Sequence, residues 1–245
     1  MEEALNDESP LRTLLAGFER ARKLTVWTLL ALLAGTAVSW TYAREIYGFL
    51  ALPLTRELAL RGQDSRLVFT GLSDPFILYF TLSLLGGVVV ATPILSAQLY
   101  VIIATRIRAR SSIAIAAFAI AGTTLFFGGM AFCYFILLPF AIAYLLDIAA
   151  GFETAITVRD FLRFSTRLLL AMGLGAQLPL VSLVAARVGL VTARTLWGWM
   201  PYATVGSFIL SAWITPPDGM SQLLVAIPLL VLYLIGIGLA AIVGR

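Results

Sequence analysis

The sequence predicts an all-α membrane protein of six transmembrane helices, with both termini in the cytoplasm. Three observations carry that expectation. The 245 residues are 60% hydrophobic and only 12% charged, where soluble domains carry about 25% charged residues. Mean hydropathy is +0.97, so the chain cannot cover itself with polar surface in water. Charge is also clustered: between Pro75 and Leu146 the only ionisable groups, tyrosines and one cysteine aside, are Arg106, Arg108 and Arg110. A bilayer is the better solvent for such a chain.

The elements follow from the length a crossing needs, about 20 mostly apolar residues. The whole chain reads as one membrane domain with a charged leader over residues 1–23. The first span is predicted over 24–43, with Trp40 and Tyr42 at an interfacial end. Its charged leader and long apolar stretch are those of a retained anchor, since a cleavable signal has only 7–15 apolar residues followed by a small-residue site. A long outer loop is expected from Arg44 to Pro75, with four basic and four acidic residues. The second span, 76–104, is longer than a crossing requires and contains Pro93, which predicts a kink or tilt. The next apolar run, Ile113 to Leu146, is too long for one crossing, so the third span is ended near Pro139 and the rest placed at the outer surface. The fourth span covers 161–186, with Arg163 and Arg167 near its start. Thr215-Pro216-Pro217-Asp218 cuts the remainder into two short spans, 196–214 and 223–243.

Orientation rests on arginine and lysine. Six spans place ten basic residues on the side of the termini and seven on the other, and "TRIRARSS" holds three arginines without an acid. That side is therefore expected to be cytoplasmic.

Composition also excludes chemistry. There is no histidine, and Cys133 stands alone in an apolar run, which leaves no His/Cys metal or haem site and no internal disulfide. No nucleophile–base pair or metal set is visible, so an enzyme is the least supported class and no cofactor is expected. The basic balance comes from loop arginines and suits topology and lipid headgroups, not nucleic acid. The span centres hold no ionisable group, which lowers the case for a proton pump or ion-coupled carrier. No internal repeat of the inverted-transporter kind is visible.

Three polar positions stand out. Gln177, in "GLGAQLPL", is the most polar side chain deep in a span. It either makes a helix–helix hydrogen bond or docks a partner helix that carries its own polar group. Asp218 follows a diproline that cannot continue a helix, and there a carboxylate caps the sixth span and meets the positive end of its dipole. Glu19, in "FERARK", is an acid just ahead of the first span. Acids contribute little to topology, but a carboxylate can receive a cationic ligand, an arginine above all.

Several stretches, in order, resemble the TatC subunit family of the twin-arginine protein translocase. "FTGLSDPF" is similar to the family segment ahead of the second span, with Asp74 where Glu is commoner. "FFGGMAFCYFILLP" matches the family's F-x-x-G-x-x-F-x-Y-x-x-x-x-P at Phe126, Gly129, Phe132, Tyr134 and Pro139. "TPPDGMSQLLVAIPLLVLY" resembles T-P-P-D-x-x-S-Q-x-x-x-A-x-P-x-x-x-L-Y, and Gln177 and Pro179 fall on the family's F-E/Q-x-P element.

The resemblance implies a multi-pass protein of a prokaryotic plasma (inner) membrane. It would recognise twin-arginine signal peptides of folded precursors, assemble with TatA- and TatB-like single-span subunits, and form homo- or hetero-oligomers with another TatC. By the same resemblance, Glu19 and Ser111 sit at the signal-peptide site, Gln177 and Pro179 at the partner-helix site, and Pro216, Pro217 and Asp218 form the outer turn. There are departures. The family's acid in the first cytoplasmic loop falls on Ser111, its intramembrane Glu on Gln177, and the Glu after the last Leu-Tyr on Leu234. The scaffold thus matches better than the acidic recognition surface, as in a divergent paralogue. The alternative class is a small-solute carrier or channel, in which Asp218, Gln177 and Arg167 would line a path.

Overall fold

The structure, a computed structural model, describes residues 10–62, 67–103, 112–149, 156–216 and 218–243, with the backbone alone for 10–24 and 103. Its described residues form α1 (Pro10–Thr41), α2 (Ala43–Leu60), α3 (Asp74–Ile103), α4 (Ser112–Phe132), a π-helical turn (Cys133–Leu137), α5 (Leu138–Ile148), α6 (Val158–Gly175), α7 (Leu178–Arg187), α8 (Ala193–Gly198), α9 (Met200–Ile214) and α10 (Gly219–Val243). The one β-type pairing among them is an isolated parallel bridge between Val68 and Thr157.

Four helical runs are long and apolar enough to cross a bilayer: Asp74–Ile102, Ser112–Ile148, Val158–Arg187 and Gly219–Val243. Thr25–Thr41 with Ala43–Leu60 makes a fifth if that pair, bent by 78°, counts as one broken span. The apolar helix α9 has 15 residues and so is about 22 Å long, short of the ~30 Å hydrocarbon layer.

Consecutive long runs alternate in direction, whereas α7 and α10 run parallel, with Gly175 beside Leu229 and Gly236 beside Ser182. Trp40 meets Phe76 with ring centroids 6.0 Å apart, and lower down Gly35 faces Gly87 and Val90, so α1 and α3 run antiparallel. A Cβ on Gly35 would lie 2.9 Å from the Val90 Cβ. This close approach is how helices associate where lipid removes the hydrophobic drive. The described aspartates Asp74, Asp147, Asp160 and Asp218 all lie at or near one end of the bundle, called here the Asp74 end; α7 finishes at the opposite, Arg187 end. Toward the Asp74 end α2, α3, α6, α10 and the π-turn bury Leu54, Leu82, Cys133, Leu168 and Val225, while residues such as Leu33, Ile120 and Ile209 remain exposed, as lipid contact requires.

The sequence reading needs correcting at the expected outer loop, and three further runs gain detail. The expected outer loop after Arg44 is largely the helix α2, which buries Ala43, Leu50, Ala51, Leu54 and Leu58. Those positions share one helical face, and the charges that suggested a loop, Arg44, Glu45, Arg56 and Glu57, lie off it. Arg61 then ties α2 to α5, pairing with Asp147 at 2.6 Å and donating to the Ala143 carbonyl. The helix over the expected third span does not stop near Pro139. A proline lacks the N–H for the residue four back and crowds that carbonyl, but the preceding π-turn, in which the Leu138 N–H donates to the Cys133 carbonyl, makes room for it. The helix therefore continues to Ile148. The run over the expected fourth span is a single stretch of crossing length, Val158–Arg187, built of two helices that meet at Ala176 and Gln177, and a short helix, α8, precedes α9.

Candidate functional site

Gln177 sits at the junction of α6 and α7. The Gln177 N–H donates to the Leu174 carbonyl, a tightened last turn of α6, and the Gln177 carbonyl accepts from Val181 in α7. Pro179 is buried in the first turn of α7, where its missing N–H costs no intrahelical bond. The Gln177 side chain is only 8% exposed. Its Nε2 donates to the Gly122 carbonyl of α4 at 2.7 Å, while Oε1 is buried without a partner. The helix–helix hydrogen bond, one of the two readings open from sequence, is thus present. Gly122 is the part that sequence could not supply: a Cβ there would lie 2.7 Å from Ser96 Oγ and 3.1 Å from Gln177 Oε1, so only glycine leaves room for the amide.

One turn toward the Asp74 end, the F-x-x-G element proves to be a packing device. A Cβ on Gly129 would lie 2.5 Å from the Met172 carbonyl oxygen, and one on Gly173 would lie 2.8 Å from the Phe126 ring. The aromatic ring and the bare backbone of α4 and α6 therefore fit each other reciprocally. Beside this contact an apolar groove of about 540 Å³ runs between α4 and α10, with Gly128, Gly129, Ala176 and Pro228 among its lining. The signature tyrosine works at a distance: Tyr134 Oη donates to the Phe49 carbonyl at 2.6 Å, and the two rings stack 4.3 Å apart. This clasps α2 across the Asp74 end.

The last turn has the capping geometry expected of it. Asp218 Oδ2 accepts from the Ser221 N–H at 2.8 Å, and the Asp218 N–H donates to the Pro216 carbonyl. Ser211 Oγ donates to the Gln222 carbonyl at 2.6 Å, which staples α9 to α10. Asp218 Oδ1 is buried without a partner. Asp74 is a second anchor that the sequence reading used only as a family mark. Its Oδ2 accepts from the N–H groups of Thr70 and Gly71, so it fixes the approach to α3.

The proposed signal-peptide residues are not brought into view. Ser111 and Pro217 lie outside the described residues, and Glu19 is placed on the α1 backbone only. Gln177 and Asp218 do not form a common site; each secures a different part of the scaffold. Among the described residues no group of three or more Cys, Asp or Glu side chains could hold a metal.

The sequence model described as "Sec-independent protein translocase protein (TatC)" matches residues 18–228. A Sec-independent protein translocase protein TatC of Desulforapulum autotrophicum is 31% identical over 91% of this chain and 82% of its own length. The TatC of Koribacter versatilis is 29% identical over 92% and 83%, and that of Escherichia coli K12 is 28% identical over 80% and 75%. A crystal structure of the twin-arginine translocase receptor TatC superposes with a TM-score of 0.83 at 27% identity, covering 93% of this chain and 99% of that one. The helical arrangement is therefore that of a known scaffold: this chain belongs to the TatC family of Sec-independent protein translocase proteins.

Proposed function

We propose that this chain is the polytopic subunit of a twin-arginine translocase in the plasma membrane of a prokaryote, with six spans and both termini in the cytoplasm. It binds twin-arginine signal peptides through the leader and the 104–111 segment, with Glu19 as the carboxylate and Ser111 as the second contact. Single-span subunits of the TatA and TatB kind lay their helices in the groove beside Gly128, close to Gln177 and Pro179, which follow its lining residue Ala176 in the chain. A second TatC-type subunit supplies the acid that Ser111 replaces. The role is recognition and assembly rather than catalysis.

The observation that carries this reading is the distribution of charge and shape. Among the described residues Glu19 lies on the leader part of α1 and the other carboxylates lie toward the Asp74 end, so the described interior offers no acid for a proton relay. What the fold offers to the bilayer is a groove next to a glycine notch, which suits a helix. The test is co-purification of the full chain with a one-span protein bearing an amphipathic helix and a twin-arginine precursor. Retention of both is expected, and retention of neither overturns the assignment. Single cysteines at Gly62 and Ala109 test the topology: Gly62 should label from outside and Ala109 from inside, and labelling from one side would overturn it.

A further inference from the structure

Arg159, Arg163 and Arg167 recur every four residues along α6, so the three guanidinium groups stand on one face of that helix. That face is the one the bundle does not bury; Phe161, Leu162, Ser165, Thr166 and Leu168 point inward instead. Arg167 lies nine residues beyond the start of α6, about 14 Å along its axis. An arginine carried that far into an apolar helix is costly unless something receives it. Its Nη1 donates to the Trp213 carbonyl at 3.3 Å, and its Cζ lies 4.8 Å from the centre of the Trp213 ring. Among the described residues no carboxylate comes within ion-pair distance of it; Arg163 has only a loose 3.6 Å contact with Asp160, and both of those side chains are more than half exposed.

Arg163 and Arg167 line two cavities at once. One, of about 210 Å³, also takes in Arg159 and Asp74. The other, of about 500 Å³, is mainly apolar, with Leu54, Ile142, Phe164 and Trp213 in its wall. Past Arg167 the outward face of α6 continues as Leu170, Ala171 and Leu174. Asp74 is already engaged by the N–H groups of Thr70 and Gly71, and Asp147 by Arg61. Three arginines thus face two carboxylates, Asp74 in the smaller cavity and Asp160 in the wall of the larger, so the local balance is positive, beside a tryptophan of the kind that sits at headgroup level and next to an apolar space.

We propose that Arg159, Arg163 and Arg167 form a binding site for an anionic phospholipid of the leaflet at the Asp74 end. Its phosphate is held by the guanidinium groups and one acyl chain lies in the cavity beside Trp213. Guanidinium groups match phosphate oxygens in a bidentate fork, and basic pockets between transmembrane helices hold acidic headgroups in this way. A zwitterionic headgroup would bring its own cation against the same arginines. The site requires only a bilayer, so it stands independently of the translocase role.

The test uses the purified full chain in detergent, titrated with phosphatidylglycerol, phosphatidylethanolamine, phosphatidylcholine and inorganic phosphate. Native mass spectrometry reads the bound lipid and thermal unfolding reads the stabilisation. Phosphatidylglycerol should bind at least tenfold more tightly than the two zwitterionic lipids. Arg163→Gln with Arg167→Gln should abolish that preference, and Arg167→Lys should keep part of it. Millimolar phosphate should leave the bound lipid in place. Equal binding of all three lipids, or an undiminished preference in the double variant, would overturn the proposal. Displacement by phosphate alone would show a free-anion site and overturn the lipid assignment. If the double variant does not fold, Arg163→Gln alone decides: it should lose several-fold of the preference, and an unchanged preference overturns the site.

Discussion

Gln177 of the α6–α7 junction donates its side-chain amide to the backbone carbonyl of Gly122, 55 residues earlier, at 2.7 Å. This bond pins the break in the fourth helical run to α4, through a side chain that is buried in the bundle. Gln177→Leu removes this interhelical bond while the Gly122 carbonyl keeps its place in the α4 ladder, and the expected loss is about 1 kcal/mol, because hydrogen bonds between membrane helices contribute roughly 0.6–2 kcal/mol. Thermal unfolding in detergent measures it. Crosslinking of a partner helix to the groove should weaken in the same variant, since Ala176 of the groove wall is adjacent. A variant of unchanged stability that loses crosslinking would assign Gln177 to the partner alone.

The two neighbouring glycines of α4 should respond in opposite ways. A Cβ on Gly129 meets the Met172 carbonyl, whereas one on Gly128 meets nothing within 4 Å. Gly129→Ala should therefore cost about 1–3 kcal/mol through overpacking. Gly128→Ala should be neutral or stabilising by up to ~1 kcal/mol, as alanine is the better helix former. Gly128→Trp fills the groove without touching the core, so it should leave the melting temperature near that of the unmodified chain while blocking co-purification of one-span partners. Loss of stability in Gly128→Trp would mean that the groove belongs to the bundle's own packing.

Asp218 separates a cap from a required charge. Asp218→Asn keeps an oxygen for the Ser221 N–H and removes only the charge; Asp218→Ala removes both. A cap alone predicts near-normal Asn behaviour and a loss of about 1 kcal/mol for Ala, read as faster hydrogen exchange in the first turn of α10. The buried, unpartnered Oδ1 gives the charge a second place to act, and equal failure of both variants in transport would reveal it.

What the sequence made legible follows the range of each interaction. Apolar runs of bilayer length announce themselves, so α3 and α10 were placed within a few residues. The Asp218 cap is a contact between residues three apart and could be read directly. α2 could not, because its charged residues are interleaved with a buried face only four or five residues strong. The π-turn was invisible for another reason: Pro139 signals a helix end unless the preceding backbone is known to widen. Gly122, Phe49 and Gln222 are acceptors through their carbonyls, and a backbone carbonyl leaves no trace in residue identity.

The cytoplasmic recognition surface yields the final prediction. Apart from the leader, the acids of this chain fall in or beside the segments at the Asp74 end, and none occurs in "TRIRARSS". With Ser111 in place of the family's loop acid, Glu19 is the acid nearest the first span on the proposed cytoplasmic face. A twin-arginine ligand presents two guanidinium groups, and one carboxylate can hold only one of them in a bidentate pair. A charged hydrogen bond contributes roughly 1.5–3 kcal/mol, so the missing partner should weaken binding about ten- to a hundredfold relative to a two-acid relative. Ser111→Glu should recover much of that difference, because it restores an acid beside Arg108 and Arg110 and offsets their repulsion of the ligand. Glu19→Gln should remove the binding that remains, and adding a second TatC-type subunit should restore it in the unmodified chain. Titration of a labelled signal peptide against the purified protein measures all three. Tight binding by the unmodified chain alone that survives Glu19→Gln would place the signal-peptide site elsewhere.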